Sequence, residues 1–165
     1  MSQEKLEHDH RSVGPWVWLL PAAYAIHIVE EAFGGGGIMG YMSAGGGMSF
    51  SLAQFAGANL IVAVILCLAA WSARRWEIFR WSIVAGAAVL LSNAAGHAAV
   101  SAATRSYVAG LWTGLVLFVS VGVFLLIRMW HLVSRRVYAV AIVAGIVLHW
   151  AVIWVAFRLP NFRPR

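Results

Sequence analysis

Charged side chains are scarce in this chain of 165 residues, at 11% of the sequence, while hydrophobic residues make up 62%. A soluble domain carries about 25% charged residues. With a mean hydropathy of +0.81, the composition therefore excludes an ordinary soluble domain and indicates an integral membrane protein. Acidic residues are the rarest charged class, with six in the whole chain. The length is suited to a single domain.

The chain has one cysteine, Cys67, so a disulfide within the chain is excluded. Cys67 lies between Leu66 and Leu68 in an apolar run and is expected to behave as a small hydrophobic residue. The net charge of +6 does not indicate nucleic-acid binding, because the arginines fall in short segments between apolar runs. Basic residues in such positions set the orientation of membrane helices.

Five apolar runs are long enough to cross a bilayer, which takes about 20 residues in a helix. The sequence therefore predicts an all-α polytopic membrane bundle of about five transmembrane helices, with a glycine-rich loop over residues 34–47. A polar N-terminal tail (1–14) would precede the bundle (15–157), and a basic tail (158–165) would follow it. The predicted spans cover residues 15–33, 49–72, 81–104, 108–128 and 137–157.

The basic residues predict the orientation of these spans. With five spans, eight lysines and arginines share the side of the N-terminus, and four arginines share the other side. Cytoplasmic loops carry the excess of basic residues, so the N-terminus is expected in the cytoplasm. The larger group is Lys5, Arg11, Arg74, Arg75, Arg80, Arg128, Arg135 and Arg136; the smaller is Arg105, Arg158, Arg163 and Arg165.

A histidine and two glutamates lie near the end of the first apolar run, in the sequence His27-Ile-Val-Glu30-Glu31. Ionisable groups within a membrane helix are costly, at about 2.5–3.5 kcal/mol each at its centre, and usually face a partner, a cavity or an ion. Positions i, i+3 and i+4 lie on one face of a helix. The motif is therefore a candidate site rather than a scattering of polar residues.

Two further histidines are predicted at a similar depth in the membrane. Counted at about 1.5 Å per residue from the non-cytoplasmic end of each span, His27 is about 9 Å deep, His97 about 10 Å and His149 about 12 Å. Arg105 and Tyr107 follow the third span at its mouth. Three helices would then contribute imidazoles to one layer.

The two glutamates require a positive partner. They occupy the last turn of the first span, where the helix macrodipole disfavours a negative charge by about 0.3–1 kcal/mol. A protonated His27, the guanidinium of Arg105 or a metal ion would each supply the missing charge.

Imidazole and carboxylate together suit zinc, iron or manganese. The sequence predicts a set of metal ligands drawn from His27, Glu30, Glu31, His97 and His149, for one or two divalent ions. Glu30 would alternatively act as a general base. A structural network of hydrogen bonds, without any metal, is the competing interpretation of the same residues.

These residues resemble the HXXEE family of small bacterial membrane proteins, whose function is uncharacterised. The family has a His-x-x-Glu-Glu motif, a further histidine and a Tyr-x-Pro-Gly motif. Here the first is His27 to Glu31, the second matches His97, and the third is Tyr107-Val-Ala-Gly110, with Ala109 in place of proline. The resemblance covers about residues 16–157. It supports the choice of site residues and implies a bacterial inner membrane, but it supplies no reaction.

The leading functional prediction is a membrane-embedded metalloenzyme that hydrolyses, isomerises or oxidises a lipid or another small apolar substrate. Glu30, Tyr107 and Arg105 are the predicted catalytic residues: Glu30 would transfer protons, and Tyr107 or Arg105 would orient the substrate. The alternative is a non-enzymatic carrier or binding protein that uses the same cluster as a proton relay or cation site. A structural subunit is a third interpretation. No nucleic-acid partner is expected, and the oligomeric state is left open.

Overall fold

A computed structural model describes residues 13–34 and 52–158 of the chain. Within them the chain is helical, with no strands, so the predicted all-α bundle is confirmed. Most of the predicted glycine-rich loop and most of both tails lie outside the described residues. The five long helices are α1 (Leu19–Phe33), α2 (Leu52–Arg75), α3 (Trp81–Thr104), α4 (Leu111–Met129) and α5 (Arg135–Arg158).

Four of the described helices, α2 to α5, are long and apolar enough to cross a membrane. The first predicted span differs from them, because its helix α1 has only 15 residues and follows a 3₁₀ turn, Pro15–Trp18. At about 1.5 Å per α-helical residue and about 2.0 Å per 3₁₀ residue, the two together are about 30 Å long. This is about the thickness of the hydrocarbon core of a bilayer.

Helix α3 lies at the centre of the bundle and packs against each of the other four helices. Its small side chains allow close approach, as is usual between helices in membranes. The tightest described approach is to α5, where a Cβ on Gly145 would lie 2.3 Å from the carbonyl oxygen of Ala85. Only glycine is compatible with this spacing.

Helix α4 contains a π-helical segment, Gly114–Phe118, between α-helical turns. A π-turn has i→i+5 hydrogen bonds and is frequent at functional sites. In an α-helix, residues five positions apart point about 140° away from each other. The π-turn brings such residues onto a common face, so that Thr113 and Phe118 both turn inward toward α1.

The α2–α3 and α4–α5 loops, which carry most of the basic loop residues, lie together at one end of the bundle, whereas Arg105 follows α3 at the other end. The guanidinium of Arg128, near the end of α4, lies 5.3 Å from the ring of Trp16, in the 3₁₀ turn that precedes α1. The α2–α3 and α4–α5 connections are at this same end, and they carry further arginines and tryptophans. The end of α1, the end of α3 and the start of α4 therefore meet at the opposite end of the bundle.

Candidate metal centre

The candidate site is formed where α1 and α3 end and α4 begins. Helix α1 contributes His27, Glu30 and Glu31, and α3 contributes His97. The first turns of α4 close the site from the side. The two glutamates are adjacent in sequence, but their carboxylates point to different partners.

Glu31 is buried and lies between two imidazoles. Its Oε1 atom is 3.4 Å from Nε2 of His27 and 3.0 Å from Nε2 of His97. One ligand atom from each of these three residues falls within 4.8 Å of the others, which is close enough for all three to hold one ion. Among the described residues, this is the group of histidine, cysteine and acidic side chains that is arranged to bind a metal.

His27 is 1% exposed and is held on several sides. Its ring packs against the ring of Phe118, with 4.1 Å between centroids, and lies edge-on to the ring of His97 at 5.1 Å. Its Nδ1 atom is 2.7 Å from Oγ1 of Thr113. Its Nε2 atom is buried and has no hydrogen-bond partner, although it faces Glu31. Buried polar atoms are rarely left without a hydrogen-bond partner.

Glu30 is bound to the start of α4 instead of facing the two imidazoles. Its Oε1 atom accepts hydrogen bonds from the hydroxyl of Tyr107 at 2.6 Å and from the backbone N–H of Trp112 at 3.1 Å. Its Oε2 atom accepts from the backbone N–H of Thr113 at 2.7 Å. The first N–H groups of a helix have no partner within it, and the positive end of the helix dipole favours an anion. The N-terminus of α4 thus supplies the positive partner that Glu30 requires.

Tyr107 lies in the α3–α4 loop and is 40% exposed. Partial desolvation and its hydrogen bond to the carboxylate of Glu30 raise the pKa of Tyr107 to about 12. The phenol therefore stays protonated over the physiological range and donates a hydrogen bond to Glu30.

Gly110 forms part of the wall around the two imidazoles. Its φ of +91° belongs to the left-handed region, which favours glycine. A Cβ at this position would lie 2.6 Å from Cε1 of His97 and 2.9 Å from Cε1 of His27. The absence of a side chain at residue 110 therefore leaves room for both rings.

The other predicted site residues lie further from this cluster. Arg105 is exposed at the C-terminal end of α3, with a left-handed backbone at φ 51°. His149 is buried on α5. It is not one of the three converging ligands.

Three contributions to the site were not identified from the sequence: the hydroxyl of Thr113, the ring of Phe118 and the backbone N–H groups at the start of α4. A threonine in the first turn of a helix is common, and its presence does not indicate a hydrogen-bond partner in another helix. The one available signal was its position three residues after Gly110, the last residue of the Tyr107 to Gly110 motif.

Comparison with known proteins agrees with the residues of the site. The sequence profile of a family described as "Protein of unknown function with HXXEE motif" matches residues 18–125. No curated protein and no solved structure matches the chain. The matched region includes the His27 to Glu31 motif, His97 and the loop from Tyr107 to Gly110, and it covers well over half of the chain. The chain therefore belongs to the HXXEE family of proteins of unknown function.

Proposed function

We propose that this protein is a membrane-embedded, metal-dependent enzyme whose divalent ion is held by His27, Glu31 and His97. The observation that carries the proposal is the convergence of three ligand atoms, one of which, Nε2 of His27, is buried without a hydrogen bond. An unprotonated imidazole nitrogen and a carboxylate oxygen repel each other unless a proton or a cation lies between them.

The spacing of the ligands fits a small transition-metal ion. Tetrahedral ligands at about 2.0–2.1 Å from zinc are about 3.3 Å from each other. The distances from Oε1 of Glu31 to the two imidazole nitrogens, 3.0 and 3.4 Å, lie on either side of this value. All three ligand atoms lie within 4.8 Å of one another, so one ion could contact all of them.

The donor set is one that enzymes use. Two histidines and one carboxylate bind the zinc of several hydrolases and the iron of non-haem oxygenases, with other positions left open for water and substrate. An ion bound here would polarise a substrate oxygen or activate a water molecule. Within the chain, Glu31 would balance the charge of the ion, and Phe118 would exclude water from one face of His27.

The proposed substrate is a lipid or another small apolar molecule. The helices that contribute the site expose apolar side chains on their outer faces, as expected for contact with acyl chains. On α1 these include Ile26, Val29 and Phe33, and on α4 Trp112 and Val116.

Metal analysis of protein purified without chelator and without a histidine tag tests the metal site. We expect one stoichiometric ion in the wild type and a loss of that ion in His27→Ala and Glu31→Gln. His131→Ala is the matched control, because His131 is exposed in the α4–α5 loop and should retain the ion. A wild type that binds no metal, or a His27→Ala variant that retains it, would overturn the proposal.

An enzyme would change its ligand chemically, whereas a carrier would release the ligand unchanged. The wild type loaded with metal and the Glu31→Gln variant, treated with the same metal, are each incubated with a total lipid extract. The extract is then analysed by mass spectrometry. We expect the wild type alone to produce new species. Lipid that co-purifies with the protein and is released chemically unchanged would support a carrier instead.

The orientation of the site in the membrane is a further part of the proposal. Because the arginine-rich loops lie at the other end of the bundle, the site should face the non-cytoplasmic side, with the N-terminus in the cytoplasm. In a Cys67→Ser background, a membrane-impermeant maleimide should label Ser106→Cys in intact cells. It should label His131→Cys only after the inner membrane is opened, and the reverse pattern would contradict this orientation.

A further inference from the structure

We infer that the two glutamates of the motif have different roles: Glu31 faces the ion, whereas Glu30 is a positioning residue that fixes the start of α4 and, through Thr113, the orientation of His27. This inference rests on the proposed metal site. Of the two glutamates, Glu31 would be a metal ligand, and Glu30 would hold another ligand, His27, in place.

Both oxygens of Glu30 are already engaged. They accept three hydrogen bonds, from Tyr107 and from the backbone N–H groups of Trp112 and Thr113, at 2.6–3.1 Å. These bonds cap α4 from a neighbouring helix. Glu31, one residue further along α1, makes no such contact with α4 in the described structure and lies between the two imidazoles instead.

Thr113 connects the cap to the metal ligand. Its backbone N–H is held by Oε2 of Glu30, and its Oγ1 atom is 2.7 Å from Nδ1 of His27. The position of the hydroxyl therefore depends on the position of the carboxylate. The π-turn that follows lets Phe118, five residues later, pack on the same imidazole.

This arrangement supports His27 as a ligand through Nε2. With an ion on Nε2, the ring proton lies on Nδ1, which has Oγ1 of Thr113 as its acceptor at 2.7 Å. Histidines that bind metals commonly donate their other N–H group in this way, and loss of that partner weakens metal binding by about 10–100-fold.

The test compares Thr113→Val with Thr113→Ser. Valine keeps the size of the side chain and the backbone bond to Glu30 but removes the hydroxyl, whereas serine restores the hydroxyl. We expect Thr113→Val to weaken zinc binding by about 10–100-fold and Thr113→Ser to bind as the wild type does. Glu30→Gln should lower the affinity but keep the stoichiometry, in contrast to Glu31→Gln, which should lose the ion.

A second readout works without metal. In metal-free protein with ¹⁵N-labelled histidine, NMR distinguishes the two tautomers, and the signal of His27 is assigned by its loss in His27→Gln. We expect the protonation of Nδ1 of His27 to be the same in the wild type and Thr113→Ser, and to change in Thr113→Val, where its partner is removed. If the wild type binds no metal, the proposed function fails while this comparison remains valid. An unchanged His27 signal in Thr113→Val, or equal loss of metal in Glu30→Gln and Glu31→Gln, would overturn the inference itself.

Discussion

At the scale of single residues, Gly110 determines whether the two imidazoles can approach each other. We predict that Gly110→Ala abolishes metal binding, because the added Cβ would lie 2.6 Å from His97 and 2.9 Å from His27 at a φ that disfavours a side chain. Zinc titration of the purified variant measures the effect. Gly57→Ala is the matched control, since a Cβ at residue 57 would have no neighbour within 4 Å. Wild-type affinity in Gly110→Ala would show that the site is more spacious than the structure indicates.

The proposed metal ligands could be predicted from the sequence, but the groups that hold these ligands in place could not. His27, Glu31 and His97 are rare polar residues in apolar runs, and counting residues along each predicted helix placed the two histidines at one depth. Thr113 carries no such signal. Its partner His27 is 86 residues away, and nothing local distinguishes its hydroxyl from that of any other threonine.

At the scale of helices and loops, the main difference between prediction and structure concerns the charge of the glutamates. The unfavourable dipole at the end of α1 predicts a positive partner for both glutamates, such as a protonated histidine, an arginine or a metal ion. The structure instead offers Glu30 the N-terminus of α4, a positive partner made of backbone groups. Backbone partners of this kind cannot be identified until the relative positions of two helices are known. The π-turn in α4 was also missed, because an apolar run of this composition is compatible with α-helix throughout.

The end of α3 provides a prediction about Arg105. Its left-handed backbone costs about 1–2 kcal/mol for a residue with a side chain and nothing for glycine. We predict that Arg105→Gly raises the melting temperature in detergent and leaves zinc binding unchanged. Arg105→Ala is the matched control: it removes the guanidinium but keeps the Cβ, so its melting temperature should not rise. A loss of zinc binding in both variants would instead support the role in the site that the sequence suggested for Arg105.

At the scale of the whole molecule, the spans could be predicted closely because lipid imposes simple limits on length and hydropathy. The predicted third span coincides with α3, and the predicted fifth span lies within α5 and starts two residues after it. The second predicted span is shifted from α2 by three residues toward the N-terminus at both ends. The first predicted span corresponds to a 3₁₀ turn followed by the shorter helix α1. The small residues of α3 allow close packing but do not by themselves identify the helix that approaches it.

The contact between α3 and α5 provides a prediction about stability. We predict that Gly145→Ala lowers the free energy of unfolding by about 1–3 kcal/mol, because overpacking moves the backbones apart. The new Cβ would lie 2.3 Å from the carbonyl oxygen of Ala85. Gly96→Ala is a control at the same pair of helices, where the nearest atom, on Trp150, is 4.0 Å away. Denaturation of both variants in mild detergent measures the difference, and equal stability would contradict the close packing.

The long sequence separation between α1 and its partners has a consequence for biogenesis. Helix α1 leaves the ribosome before α3 and α4, carrying a histidine and two acidic residues whose partners on those helices have not yet been synthesised. Each such ionisable group makes insertion less favourable until it is paired. We therefore expect α1 to remain at the membrane surface, or within the translocon, until α4 has emerged, and to enter the bilayer together with the helices that complete the site. The order of synthesis would thus couple membrane integration of α1 to assembly of the site.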